Sequence, residues 1–135
     1  MSSLSLLQGG DVFRAALSVA PVTDWRLYDT IYTERYMRTP QENPDGYRES
    51  APTAFADQLE GNLLLVHGTG DDNVHPQNTV RLIEALIQAD KQFDMRLYPN
   101  RTHSISGGIT SVNLFKMFTG WLRENLYDAP PRDVL

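Results

Sequence analysis

Apolar residues along the chain fall into a few short runs and several spaced stripes. Residues 63–66 (Leu-Leu-Leu-Val) are continuously apolar; the run is too short for a buried helix and predicts a strand covered on both faces. Residues 14–20 (Arg-Ala-Ala-Leu-Ser-Val-Ala), ended by Pro21, predict a second short buried strand. Phe93, Met95 and Leu97 alternate with Asp94, Arg96 and Tyr98, the period of a strand with one wetter face, placed near the edge of its sheet. Helical spacing takes over elsewhere. Residues 76–89 predict an amphipathic helix with Val80, Ile83, Leu86 and Ile87 inward, and residues 110–126 predict a closing helix with Leu114, Phe115, Met117, Phe118, Trp121, Leu122 and Leu126 on its apolar side. Residues 1–8, with Leu4, Leu6 and Leu7 before Gly9-Gly10, predict a helix closing on a glycine cap. It starts without a capping residue, the look of a helix whose front end is missing. Strands alternating with helices predict a parallel α/β sheet.

The connecting segments carry their own signals. Trp25, Tyr28, Tyr32 and Tyr36 recur at three- and four-residue spacing, which places four aromatics on one helical face; a stripe of that kind is more often core than pocket. Residues 38–52 hold Pro40, Pro44, Asp45-Gly46 and Pro52, so they predict a loop with a helical turn around Tyr47, followed by a short helix over 53–59. Residues 127–135, with Pro130-Pro131, read as a loose tail.

At 135 residues the chain is one domain or part of one, and a chain of this size buries roughly two-thirds of its unfolded surface. The net charge of -5 and the lack of any Lys/Arg cluster argue against nucleic acid and against an anionic membrane surface as partners. No cysteine is present, which excludes disulfides, thiolate metal sites and thiol nucleophiles. No apolar run approaches the ~20 residues of a membrane span, and residues 1–7 lack the charged start and cleavage site of a signal peptide. An absent leader points to the cytoplasm only where a chain has not been cut from a longer one.

The chemistry gathers directly after residues 63–66. Gly68 and Gly70 allow a tight turn, and His67, Asp71, Asp72, Asn73 and His75 fall within nine positions at the carboxyl end of a buried strand, where open α/β sheets place their sites. Acids after a glycine, with Pro76 opening a helix, also make an ordinary strand-to-helix turn. His67, Asp71, Asp72 and His75 offer nitrogen and oxygen ligands for a metal, but two histidines eight apart across a tight turn fit no common spacing. Gly68-x-Gly70 meets Asn73 where a dinucleotide fingerprint wants its third glycine. No cofactor and no metal is implied.

Three segments in order, Val19-Ala-Pro-Val-Thr-Asp-Trp25, Tyr28-Asp-Thr-Ile-Tyr-Thr-Glu-Arg-Tyr-Met37 and His67-Gly-Thr-Gly-Asp-Asp-Asn-Val-His75, resemble the dipeptidyl peptidase IV branch of the prolyl oligopeptidase family, whose members are α/β-hydrolase serine peptidases. The resemblance covers about residues 1–126. It implies an incomplete α/β-hydrolase fold, the last parallel strands and flanking helices without the nucleophile-elbow strand. Residues 1–127 would be the C-terminal portion of the catalytic domain and 128–135 a tail. In the chain order of such enzymes the acid and histidine follow successive strands, so the resemblance makes Asp71 the catalytic acid and His103 the general base. It also implies that Val22, Trp25, Tyr28 and Tyr32 line a pocket for a proline ring, that Asn73 donates to a substrate carbonyl and that Val74 adds apolar wall. His67 is expected to tether the loop by hydrogen bonds.

The nucleophile is missing from these residues. Gly-x-Ser-x-Gly occurs nowhere; Ser104-Ile-Ser-Gly-Gly108 comes nearest, but it opens on Ser104 and follows no strand. In the family the elbow lies just before the helix that residues 1–7 resemble. The expectation is a fragment of a serine exopeptidase that releases N-terminal dipeptides with proline (or alanine) second, inactive alone. The missing elbow strand would pair with residues 14–20, so self-association or a homo-oligomer covering that edge is expected. The family's habit suggests a periplasmic or extracellular location. Two alternatives stay open: a non-catalytic module that grips a proline-containing peptide, and a fragment of a related esterase or acylaminoacyl peptidase.

Overall fold

A computed structural model describes residues 2–126. Among the described residues three parallel strands lie in the order β1 (Ala15–Val19), β2 (Asn62–Gly68), β3 (Asp94–Tyr98), with Ala15 opposite Asn62, Val19 opposite Val66, Leu64 opposite Asp94 and Gly68 opposite Tyr98. The helices are α1 (Ser2–Gln8), α2 (Thr30–Met37), α3 (Pro44–Glu49), α4 (Gln77–Gln88) and α5 (Thr110–Leu126). The helical turn expected around Tyr47 is α3, capped by Asn43 and opened by Pro44. The short helix expected over 53–59 is a 3-10 stretch, Pro52–Gln58, kinked at Phe55.

β2 is the centre, and every one of its residues is buried. Its apolar run serves both faces because successive side chains point to opposite sides of a strand. Leu63 and Leu65 pack with Leu6 and Leu7 of α1, Ala56 and Leu59, and Leu82 and Leu86 of α4. Leu64 and Val66 pack with Tyr98, Ile105, and Leu114 and Trp121 of α5. The result is a sheet between two helical layers. Entry into β2 is fixed at Gly61, whose φ of 87° suits glycine and where a Cβ would strike the Arg14 carbonyl; the next amide, Asn62 N–H, donates to that same carbonyl at 2.8 Å.

Several expected faces turn out differently. β1 ends the strand order and is half-buried rather than buried, with Val19 exposed. β3 has the expected edge position among the described residues, but Met95, Arg96 and Leu97 are all exposed, so both of its faces are wet. α4 is rotated from the expected face: Asn78, Thr79, Leu82 and Leu86 point inward, whereas Val80 is 59% exposed and Ile87 is exposed too. The inward set keeps helical spacing, but two polar residues begin it. On α5, Leu114 and Trp121 are buried while Phe115 and Leu126 face outward. The aromatic stripe does not lie on one helix. Trp25 sits in a 3-10 turn, Trp25–Leu27, and Asp29 starts α2 by accepting from Tyr32 N–H at 2.8 Å, because an Asp side chain satisfies the free amides of a helix start. Nor is the stripe core, since Tyr32 and Tyr36 are exposed. The tail expected over 127–135 lies outside the described residues.

Leu65 is fully buried within the α1–α4 layer, so Leu65→Ala is expected to cost about 3 kcal/mol or more. Urea unfolding followed by circular dichroism checks this; a loss under about 1 kcal/mol would mean that β2 is not the packed centre.

Candidate active site

The loops after β2 and β3 are clamped together by hydrogen bonds. Thr69 N–H donates to Tyr98 O (3.0 Å), Gly70 N–H to Arg101 O (3.0 Å), and Asn100 N–H to Thr69 Oγ1 (2.9 Å). The close approach depends on Gly68, where a Cβ would overlap the carbonyl of Arg101. Beyond the clamp, Ile105 N–H donates to Thr102 O (3.0 Å) and closes a turn around His103. Ile105 holds φ at 46°, a strained setting for a β-branched residue that costs on the order of 1–3 kcal/mol. Its side chain is buried in the α5 layer, which offsets the strain.

This scaffold brings Asp71 and His103 together: His103 Nδ1 lies 2.8 Å from Asp71 Oδ2. The Asp71 side chain is fully buried, while that of His103 is 43% exposed. Oδ1 of the carboxylate accepts from the amides of Asn73 and Val74, each at 3.0 Å. Oδ2 also lies 3.2 Å from His67 Nε2. Burial alone would raise the Asp71 pKa, but the hydrogen bond from His103 and then the two backbone amides outweigh it and hold the carboxyl below the usual aspartate value. An ionised carboxylate only accepts, so Nδ1 of His103 carries the hydrogen and the neutral ring keeps its lone pair on Nε2. The arrangement is an acid, a histidine of fixed tautomer and an open basic nitrogen.

His67 does tether the loop. Its Nε2 is 2.8 Å from Val74 O and its Nδ1 2.7 Å from Thr79 Oγ1. His75 Nδ1 accepts from Gln77 N–H at 3.2 Å. Among the described residues no three histidine or acidic side chains converge as a metal site.

The aromatic residues form a second cluster beside the loop. Trp25 stacks on Tyr32 with centroids 5.9 Å apart, and Tyr28 stands edge-on to both, at 6.0 Å from Trp25 and 5.6 Å from Tyr32. Tyr28 Oη donates to Asn73 Oδ1 (2.8 Å), which joins this cluster to the Asp71 loop. Val22 is half-buried between the buried Pro21 and Thr23. Val74 is buried, and its backbone makes the loop's contacts, giving its N–H to Asp71 and its carbonyl to His67.

The sequence profile of the prolyl oligopeptidase family matches residues 1–129. The chain belongs to the prolyl oligopeptidase family. It is 45% identical over 117 residues to dipeptidyl aminopeptidase B of Saccharomyces cerevisiae, a match that covers 85% of this chain and 14% of the relative. The crystal structure of Porphyromonas gingivalis dipeptidyl peptidase 4 is 50% identical with a TM-score of 0.88, covering 91% of this chain and 18% of that one. A Bacteroides ovatus structure, 35% identical, has a TM-score of 0.90 with 93% and 18% covered. The chain therefore spans 12% to 14% of the length of the curated relatives it matches. Its helices and parallel strands form part of the α/β-hydrolase domain of the prolyl oligopeptidase family.

One piece of this arrangement escaped sequence reasoning. Asn78, buried at the start of α4, accepts from Thr23 N–H (3.0 Å) through Oδ1 and from the Thr23 hydroxyl through its backbone carbonyl, and donates to Leu27 O and His75 O (3.3 Å each). It ties the segment carrying Trp25 to the helix that follows the Asp71 loop. Its one signal is position, since it shares a helical face with Leu82 and Leu86.

The depressed Asp71 pKa predicts the sign of a pH effect. A carboxyl whose pKa falls on folding adds stability above its unfolded value, and that stability is lost as pH drops through the folded value. Asp71→Asn is thus expected to cost about 3 kcal/mol at pH 7, since it breaks a buried charged cluster, and to flatten the acid limb of stability against pH. Urea midpoints for both proteins from pH 7 down to pH 3 check this; parallel curves would remove Asp71 as the linked group.

Proposed function

We propose that Asp71 and His103 are the acid and the general base of a serine-peptidase triad, and that the site takes peptides with proline or alanine second from the free amino terminus. The observation that carries the proposal is the 2.8 Å contact between the buried carboxylate and the half-exposed imidazole. In the proposed reaction Nε2 of His103 takes the proton of a serine hydroxyl as it attacks the substrate carbonyl, and later returns it to the leaving amine. Asp71 holds the ring and stabilises its cation.

The rest of the site supplies recognition. The faces and edges of Trp25, Tyr28 and Tyr32 suit a proline ring, whose C–H groups pack against aromatic surface, and the resemblance adds Val22, three residues before Trp25, to the same pocket. Tyr28 occupies the acceptor end of the Asn73 amide, so the donor end is the one offered to a substrate carbonyl. Val74 backs the wall. The names of the Saccharomyces cerevisiae and Porphyromonas gingivalis relatives support a dipeptidyl peptidase over an esterase or acylaminoacyl peptidase. In this proposal residues 1–127 are the C-terminal portion of the catalytic domain and 128–135 its tail.

Gly-x-Ser-x-Gly is missing from residues 1–135, and an acid and base without a nucleophile cannot form an acyl-enzyme. The chain by itself is therefore proposed to be inert. The purified chain is expected to release no product from Gly-Pro p-nitroanilide above the buffer rate, and to take no label from a fluorophosphonate. Release in proportion to chain concentration would overturn this. Binding is separable from turnover: a Gly-Pro peptide is expected to quench Trp25 saturably in a Trp121→Phe background, with affinity about tenfold weaker after Tyr32→Ala. No quenching would remove the proline pocket.

A further inference from the structure

Thr23 and Asn78 are fully buried polar residues to which the proposed reaction gives no part. They stand 55 residues apart in the chain and are joined in the fold. Every polar group of the Asn78 side chain has a partner: Oδ1 accepts from Thr23 N–H at 3.0 Å, and Nδ2 donates to Leu27 O and His75 O at 3.3 Å each. An amide N–H only donates and a peptide carbonyl only accepts, so a single orientation of the Asn78 amide serves all three. Thr23 is engaged as completely. Its hydroxyl donates to the Asn78 carbonyl, and its own carbonyl accepts from Thr53 Oγ1 at 3.4 Å.

The consequence falls on Trp25. Thr23 precedes it by two residues and Leu27 follows it by two, so one side chain holds the backbone on both sides of the indole. The third bond of that side chain goes to His75, where the Asp71 loop runs into α4. Trp25 itself lies in a 3-10 turn of three residues, and a turn that short has little stability of its own. What grips its two ends therefore decides where the indole stands. On the other flank of the aromatic cluster, Tyr28 is anchored to Asn73; Trp25 makes no such bond from its ring and depends on the backbone clamp and on its stacking against Tyr32.

We propose that Asn78 and Thr23 are positioning residues for recognition: together they hold the Trp25 indole at the distance from the Asp71 loop that lets a proline ring enter against Tyr28 and Tyr32. The proposal rests on reading the aromatic cluster as the proline pocket. It separates recognition from proton transfer, because neither residue bonds to Asp71 or His103 and the clamp acts on the pocket alone.

The chain holds two tryptophans, so the indole signals of the whole 135-residue chain are readable by NMR, with Trp121 as the internal reference for folding. Thr23→Val keeps the shape and removes the hydroxyl, Thr23→Ser keeps the hydroxyl, and Asn78→Ala removes the whole side-chain clamp. Nuclear Overhauser contacts from the Trp25 ring to Tyr32 are expected to weaken in Thr23→Val and Asn78→Ala and to match the parent in Thr23→Ser. Titrating a Gly-Pro peptide against the Trp25 signal, affinity is expected to fall about fivefold in Thr23→Val, the worth of one hydrogen bond, and to stay within about twofold of the parent in Thr23→Ser. The Nδ1–H tautomer of His103, read from long-range 15N–1H spectra, is expected to be the same in all of them. A purely structural role would lower the urea midpoint and leave the Trp25 contacts and the affinity in place. Parent-like Trp25 contacts in a folded Thr23→Val overturn the proposal, and so does an equal loss in Thr23→Ser and Thr23→Val. Should Asn78→Ala not fold, the two Thr23 variants decide. If the parent chain binds no peptide, the reading of the cluster as a proline pocket fails, and the Trp25 contacts still decide whether the clamp positions the indole.

Discussion

One buried charge organises this end of the molecule. The Asp71 carboxylate has no exposure, and an ion in that position is tolerated only where its lone pairs are met by donors. Three N–H groups meet them, from Asn73, Val74 and His103. Two come from the loop's own backbone and one from the loop after β3. The charge is therefore satisfied only when two strands are in register and two loops are closed on each other. Local turn chemistry alone would supply two of the three donors.

The sheet makes that convergence possible. Parallel pairing puts the carboxyl ends of β2 and β3 side by side, with Gly68 opposite Tyr98, and a loop leaving each end is then within reach of its neighbour. β2 can hold this position because its two faces are both consumed by packing, Leu63 and Leu65 on one side and Leu64 and Val66 on the other. The same burial tolerates local cost. Ile105 keeps an unfavourable backbone angle next to His103 because its side chain is locked in the α5 layer, which fixes the turn that presents the imidazole.

What was legible in the sequence follows from how local each cause is. The 63–66 run announced β2 because a short continuous apolar stretch has few other uses. The position of α4 was also plain, but its face was not. Asn78 and Thr79 point inward for partners 55 and 12 residues away, Thr23 and His67, and no local period reports such partners. The aromatic spacing named Trp25, Tyr28 and Tyr32 as neighbours correctly and put them on one helix wrongly, since the Asp29 cap breaks the run. Asp71 and His103 are 32 residues apart; it was resemblance in several ordered motifs, rather than spacing, that linked them in the sequence.

Asn73 shows how recognition and charge are held in one frame. Its backbone N–H goes to Asp71 Oδ1 while its side-chain oxygen accepts from Tyr28. A displacement of the aromatic cluster would therefore pull on an amide that compensates the buried charge, and a displaced carboxylate would turn the side chain that faces the cluster. Asn78 closes the loop from the other side by holding Thr23 and Leu27 to the start of α4. The aromatic cluster and the Asp71–His103 pair are thus braced at two points, with little freedom for one to move without the other. On the proposed reading, that bracing is what fixes the distance between a bound proline ring and the basic nitrogen of His103, the condition for a reacting geometry set before substrate arrives.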